Sequence, residues 1–163
     1  MAQQTLDFHK GDWIVHRQYS LGQIKRIEIK DIGGEATEYY RVESEDSIFW
    51  IPVDQMDSDF IRPIATPQEF QKVLEELKKP SEKMASNYKK RNSRIKKVRL
   101  NNKPRSIARL IRDLRAKRRK KKGLNQTERN ALKSLTDRLI KEWALVQNIR
   151  PEKAQERLEK LLS

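Results

Sequence analysis

The chain has no cysteine. That excludes disulfides and thiolate metal sites, and it fits a reducing cytosol. Histidine is nearly absent too. The two that occur, His9 and His16, flank Asp12 near the start, with no further ligand or acid–base signature around them. We therefore expect no metal, no cofactor and no enzyme activity. Glycine is scarce, and Gly33-Gly34 reads as a hairpin turn rather than a phosphate loop. No run approaches the roughly eighteen apolar residues of a membrane span. The polar start, Met1 to Asp7, lacks the plan of a signal peptide. These absences point to a cytoplasmic protein without a membrane partner. Hydrophobic residues make up only 36% of the 163, so any core is modest.

What the chain does have is positive charge in one place. The formal net charge is +14, yet the stretch 83–122 alone holds nineteen Lys or Arg and a single acid, Asp113. Residues 1–70 are acidic on balance, with seven basic and thirteen acidic side chains. Residues 71–163 carry thirty basic and ten acidic ones. An acidic half joined to a basic half implies two domains with two partners. The basic half is built to attract a polyanion, nucleic acid ahead of an acidic protein or membrane surface.

The acidic half reads as short strands. These are Asp12 to His16, Gln23 to Ile29 with one irregularity, Thr37 to Val42, Ile48 to Val53, and Phe60 to Ile64. Tight turns between them predict a small antiparallel barrel of the SH3 or Tudor type. Trp13 reads as core. In Ile-Phe-Trp-Ile-Pro (48–52), alternation turns either Phe49 or Trp50 outward, and an outward Trp50 is a candidate partner contact. Residues 1–7 read as frayed.

The basic half reads as about five helices. Thr66-Pro67-Gln68-Glu69 is a capped start, and Phe70, Val73, Leu74 and Leu77 follow as one apolar stripe. Ser86 to Leu100 is a weakly amphipathic helix. Pro104 opens the next, whose buried face is Ile107, Ala108, Leu110, Ile111 and Leu114 and whose exposed end is Arg115 to Lys122. Gly123 reads as its C-cap. Asn125 with Glu128 starts a long helix through Trp143, and Pro151 opens a short last one. The class is therefore α+β, a β-barrel followed by a helical bundle. No coiled-coil heptad or large apolar stripe argues for a dimer, so we expect a monomer. Nothing signals base-specific readout, so phosphate contacts and shape are the expected mode.

Several stretches, in their order and spacing, resemble the CarD/CdnL-type bacterial RNA polymerase-binding regulators, from Phe8 to the last helix. They are Lys10-Gly11-Asp12-Trp13-Ile14-Val15, Gly22-Gln23-Ile24, the 48–52 strand, Asn87-Tyr88 with basic residues after it, Arg112-Asp113-Leu114, Gly123-Leu124-Asn125 with Glu128, and Glu142-Trp143-Ala144-Leu145. The resemblance implies residues 1–65 as a Tudor-like domain that holds the polymerase β subunit, of a type shared with the transcription-repair coupling factor. It implies residues 66–163 as a domain that contacts promoter DNA at the upstream edge of the bubble and stabilises the open complex. By position, the family's wedge tryptophan falls on Tyr88, and the polymerase-facing positions fall on Lys30, Ile32 and Trp50. Trp50 stands where some members place arginine, and the 16–20 loop lacks the family's proline and first glycine. On this reading Tyr88, Lys89, Lys90, Arg91 and Arg94 touch the opening edge. Lys97, Arg115, Arg118 and Arg119 add phosphate grip. Charge alone leaves two other readings open: an RNA- or ribosome-associated basic protein, and a nucleoid-associated architectural protein.

Overall fold

The computed structural model describes residues 8–56 and 60–163, and for Ile32 its backbone alone. The frayed stretch expected at 1–7 lies outside the described residues. The chain divides into two compact units that part between Ile64 and Ala65.

The first unit is a five-stranded antiparallel sheet: β1 (Trp13–His16), β2 (Ser20–Ile32), β3 (Glu35–Ser44), β4 (Ile48–Pro52) and β5 (Ile61–Pro63), in the order β4-β3-β2-β1-β5. Alternation puts Ile14, Ile24, Val42, Phe49 and Ile51 on one face, where they form the core with Phe8, Met56 and Ile61. The register shifts between Ile24 and Arg26, the irregularity anticipated in that strand. Gly33 and Gly34 both take positive φ, +75° and +91°, as a tight hairpin turn requires.

Two expectations need correction. The sheet is open, not a closed barrel. Among the described residues β4 pairs only with β3, and the three residues of β5 pair only with β1. A 3-10 turn at Val53–Gln55 ends β4 before it could reach β5. Second, alternation of Ile27 and Ile29 with charged residues suits a half-buried strand, yet both are exposed. The last β4 pair is Tyr39 with Pro52 and the last β1 pair is Trp13 with Gln23. Ile29 lies past the Glu28–Tyr39 pair, where β2 and β3 have no further strand partner among the described residues, and Ile27, opposite Tyr40, lies past the end of β1.

The second unit packs α1 (Pro67–Lys78), α2 (Tyr88–Asn101), α3 (Pro104–Arg118), α4 (Gln126–Gln147) and α5 (Pro151–Leu162). The capping box at α1 is complete: the Glu69 N–H donates to Thr66 Oγ1 and the Thr66 N–H donates to Glu69 Oε2, each at 3.1 Å. One core joins all five helices, with Phe70 and Trp143 packed ring to ring at 5.8 Å. α3 supplies Ile107, Leu110, Ile111 and Leu114 to it. α2 buries only Ile95 and Val98, so its other faces remain available. α3 ends at Arg118, capped by Arg119, which is four residues short of the expected end. Residues 119–125 form a turn in which Gly123 takes φ +62° instead of capping the helix. Cations stacked through another helical turn would repel one another, and the chain turns away there.

Candidate nucleic-acid interface

α2 begins on a well-made cap. Asn87 Oδ1 accepts from the N–H groups of Lys89 (2.8 Å) and Lys90 (3.4 Å), satisfying two of the orphan donors of a helix start. Tyr88 is the first helical residue and stands 57% exposed, among polar and cationic neighbours. Its platform is held from below by Arg91. The Arg91 guanidinium donates to the carbonyls of Ala85 (3.0 Å) and Ser86 (2.7 Å), and its Nε donates to Glu128 Oε1 at 2.8 Å. One side chain thus ties the extended segment before α2 to the start of α4.

Three buried carboxylates organise the cations of this unit. Glu76, on α1, accepts from Arg109 (3.0 and 3.1 Å), Arg105 (3.1 Å) and Lys79 (3.2 Å). Those hydrogen bonds, Arg109 first, hold its carboxyl well below the usual carboxylate range against the opposing effect of burial. Asp113, on α3, accepts from Arg94 (2.8 Å), Arg112 (3.0 Å) and the Glu82 N–H (2.8 Å). Glu128, on α4, faces Arg91 on one side and the Lys117 ammonium, 3.0 Å away, on the other. At the surface Arg115 makes a two-pronged pair with Glu159 of α5. That pair lowers the Glu159 pKa and raises that of Arg115.

The residues expected at a DNA contact therefore separate. Tyr88, Lys89 and Lys90 cluster, exposed, at the start of α2; Lys97 is exposed nine positions on, about 13 Å along the helix. Arg91, Arg94 and Arg115 are engaged in ion pairs within the unit. Arg119 donates to the Leu162 carbonyl, while Arg118 is exposed beside it. Sequence reasoning missed the internal partners. The lone acid inside the cationic stretch, Asp113, was the one signal that could have found them.

On the sheet unit, Phe49 points inward and Trp50 outward, 38% exposed. The Lys30 ammonium lies over the Trp50 ring, 3.2 Å from its centre. The Trp50 indole N–H donates to Glu28 Oε2 at 2.9 Å. Glu28 also accepts from Arg26 (2.7 Å) and Arg41 (3.4 Å), and its pKa drops to about 2, chiefly through Arg26 and then Trp50. Lys30 and Trp50 thus form one preassembled feature on one sheet face. Ile32 ends β2, and its side chain lies outside the described residues. Trp13, read as core, is half-buried.

Comparison with known families gives two matches. Residues 8–65 match the CarD-like/TRCF RID domain, and residues 72–159 match the CarD C-terminal domain. The chain belongs to the CarD family. Membership implies an RNA polymerase-interacting transcription regulator, of a family that is regulatory in character. Of the two matched segments, 8–65 ends one residue past the first compact unit and 72–159 falls inside the second. In this CarD-family chain the aromatic at the start of α2 is the exposed Tyr88, and the outward aromatic of β4 is Trp50. Among the described residues no group of His, Cys, Asp or Glu could hold a metal ion. No helix there is long and apolar enough to cross a membrane.

Proposed function

We propose that this CarD-family chain bridges the β subunit of bacterial RNA polymerase and promoter DNA at the upstream edge of the transcription bubble, and prolongs the life of the open complex. The observation that carries the reading is Tyr88: a large aromatic left exposed on a capped helix start, followed directly by exposed Lys89 and Lys90. Aromatic wedges unstack a base step from the minor groove and favour opened or bent DNA. Lys89, Lys90, Lys97 and Arg118 supply phosphate contacts without base readout. On the sheet unit, Lys30, Ile32 and Trp50 form the polymerase-facing set. Binding to free DNA is weak, and tethering through the polymerase raises the local concentration enough for weak contacts to act.

The test is the dissociation half-life of the open complex, with purified bacterial RNA polymerase and full-length protein. Stacking of an aromatic on a base is worth about 1–3 kcal/mol by alanine substitution, roughly a 5- to 150-fold effect. Tyr88→Ala should shorten the half-life by a factor in that range and leave capture by polymerase intact. Trp50→Ala and Lys30→Ala should reduce capture. An unchanged half-life with Tyr88→Ala would remove the wedge.

A further inference from the structure

Beside the start of α2 lies an open groove of about 780 Å³, within the range of roughly 300–1,000 Å³ typical of ligand sites. One wall is the extended segment 81–86. The other is the end of α3 with the turn to Asn125. Exposed Ala85 and half-buried Ala116 contribute apolar surface, and the core residues Met84 and Leu124, each 7% exposed, add their edges. Lys83 stands on the first wall and Lys120, Lys121 and Lys122 on the second, all exposed. Two acids also border the groove. Asp113 is fully engaged by Arg94, Arg112 and the Glu82 N–H, and the Glu82 side chain is exposed.

Both walls are fixed to one buried side chain. Glu128 holds Arg91, whose guanidinium fastens Ala85 and Ser86 of the first wall. It also pairs with Lys117, whose ammonium donates to the Gly123 carbonyl of the second wall at 2.7 Å. The groove is preorganised by the fold, with a spacing that does not depend on a ligand.

Phosphate alone does not account for this lining. A duplex offers its phosphates outward and keeps its base faces stacked inside, so an apolar surface beneath a lysine rim gains only groove-edge contacts such as thymine methyls from it. An unpaired strand offers both anionic backbone and apolar base faces, which is the pairing that cationic grooves with apolar or aromatic platforms accept. We propose that this groove binds a short unpaired stretch of a DNA strand, with bases against the Met84, Ala85, Ala116 and Leu124 surface and phosphates against Lys83 and Lys120–Lys122. The proposal rests on the DNA reading above and deepens it. Next to a wedge at Tyr88, the groove would receive bases that the wedge displaces.

The experiment uses the full chain and three labelled probes in fluorescence anisotropy at low salt. They are an oligothymidine of about 10 nucleotides, an abasic strand of equal length and charge, and a duplex. Oligothymidine should bind at least about fivefold tighter than the abasic strand, the minimum for one stacked base. Lys83→Glu combined with Lys121→Glu, one residue on each wall, should weaken oligothymidine more than duplex. Lys97→Glu, away from the groove, should weaken duplex more. A strand carrying 4-thiothymidine should photo-crosslink within 81–86 or 116–125. Equal affinity for thymidine and abasic strands, or crosslinks only outside those segments, would overturn the groove while duplex binding keeps the DNA reading intact. Failure to bind any of the three probes would overturn both. Thermal melting of the double variant, which alters exposed lysines only, checks that the fold persists.

Discussion

The Arg91 guanidinium and the Glu128 carboxylate meet at 2.8 Å although 37 positions separate them in the chain, and the Glu128 side chain is fully buried. Removing Arg91 leaves the buried Glu128 carboxylate with Lys117 alone, and breaking a buried pair costs up to about 3–5 kcal/mol. Arg91→Ala and Glu128→Ala should each lower the unfolding free energy by an amount within that range, seen as a lower denaturant midpoint. Replacing both at once with apolar residues of similar size should be milder, because only the partly exposed Lys117 then loses its partner. Equal losses for single and double variants, measured by urea unfolding, would count against the pair as the cause.

Tyr88 offers the reverse test of the wedge. Tyr88→Trp enlarges an exposed side chain with no packing to disturb, so stability should change by less than about 0.5 kcal/mol. Open-complex half-life should lengthen, since the larger ring covers more of a base step. A gain in stability with no gain in lifetime would show the position to be structural.

Acid should weaken the helical unit in a defined window. Glu76 has a folded pKa below its unfolded value, so ionised Glu76 favours the folded state. That contribution is complete at neutral pH and is lost as pH falls below the ordinary glutamate value of 4.5. Glu76→Gln should start out less stable at pH 7 and lose less between pH 5 and pH 3, as followed by urea midpoints. Glu28 has the same sign in the sheet unit, with a window running from its ordinary value of 4.5 down to about 2.

Salt dependence should separate the exposed cations from the internally paired ones. Each phosphate neutralised on duplex DNA contributes about 0.9 to the slope of log affinity against log salt. Lys89→Ala should reduce the slope by about that amount. Arg94→Ala should leave it nearly unchanged, because Arg94 already has Asp113 as its counter-ion at 2.8 Å. A full unit of slope lost with Arg94→Ala would place a phosphate there.

Local chemistry was legible in the sequence; long-range closure was not. Thr66, Pro67 and Glu69 specify a helix start by themselves, and Gly33-Gly34 specifies a hairpin. Alternation along 48–52 reduced the choice of outward aromatic to Phe49 or Trp50, and the burial of Phe49 on the core decides it. The polar and basic neighbours of Tyr88 argue only against deep burial, and its 57% exposure decides the matter. The exposure of Ile27 and Ile29 was not legible, since it depends on where β1 and β4 stop. Nor was the open sheet, which follows from the shortness of β5. The groove was hidden for the same reason. Its walls lie more than thirty positions apart, and they are joined through Glu128, an acid that reads locally as part of a helix cap.

The buried acids take up mainly arginines, though Glu76 also holds Lys79 and Glu128 also holds Lys117. Arg91, Arg94, Arg109, Arg112 and Arg115 turn to carboxylates within the bundle, while Lys89, Lys90, Lys96, Lys97, Lys120 and Lys121 face outward. An arginine fork imposes a geometry on the group it grips, whereas an ammonium on a flexible stem accepts a phosphate from any direction. A surface of lysines therefore has no preferred register along a backbone. If it binds DNA as proposed, it can slip from one phosphate to the next at little cost, letting the molecule shift along a moving strand without letting go.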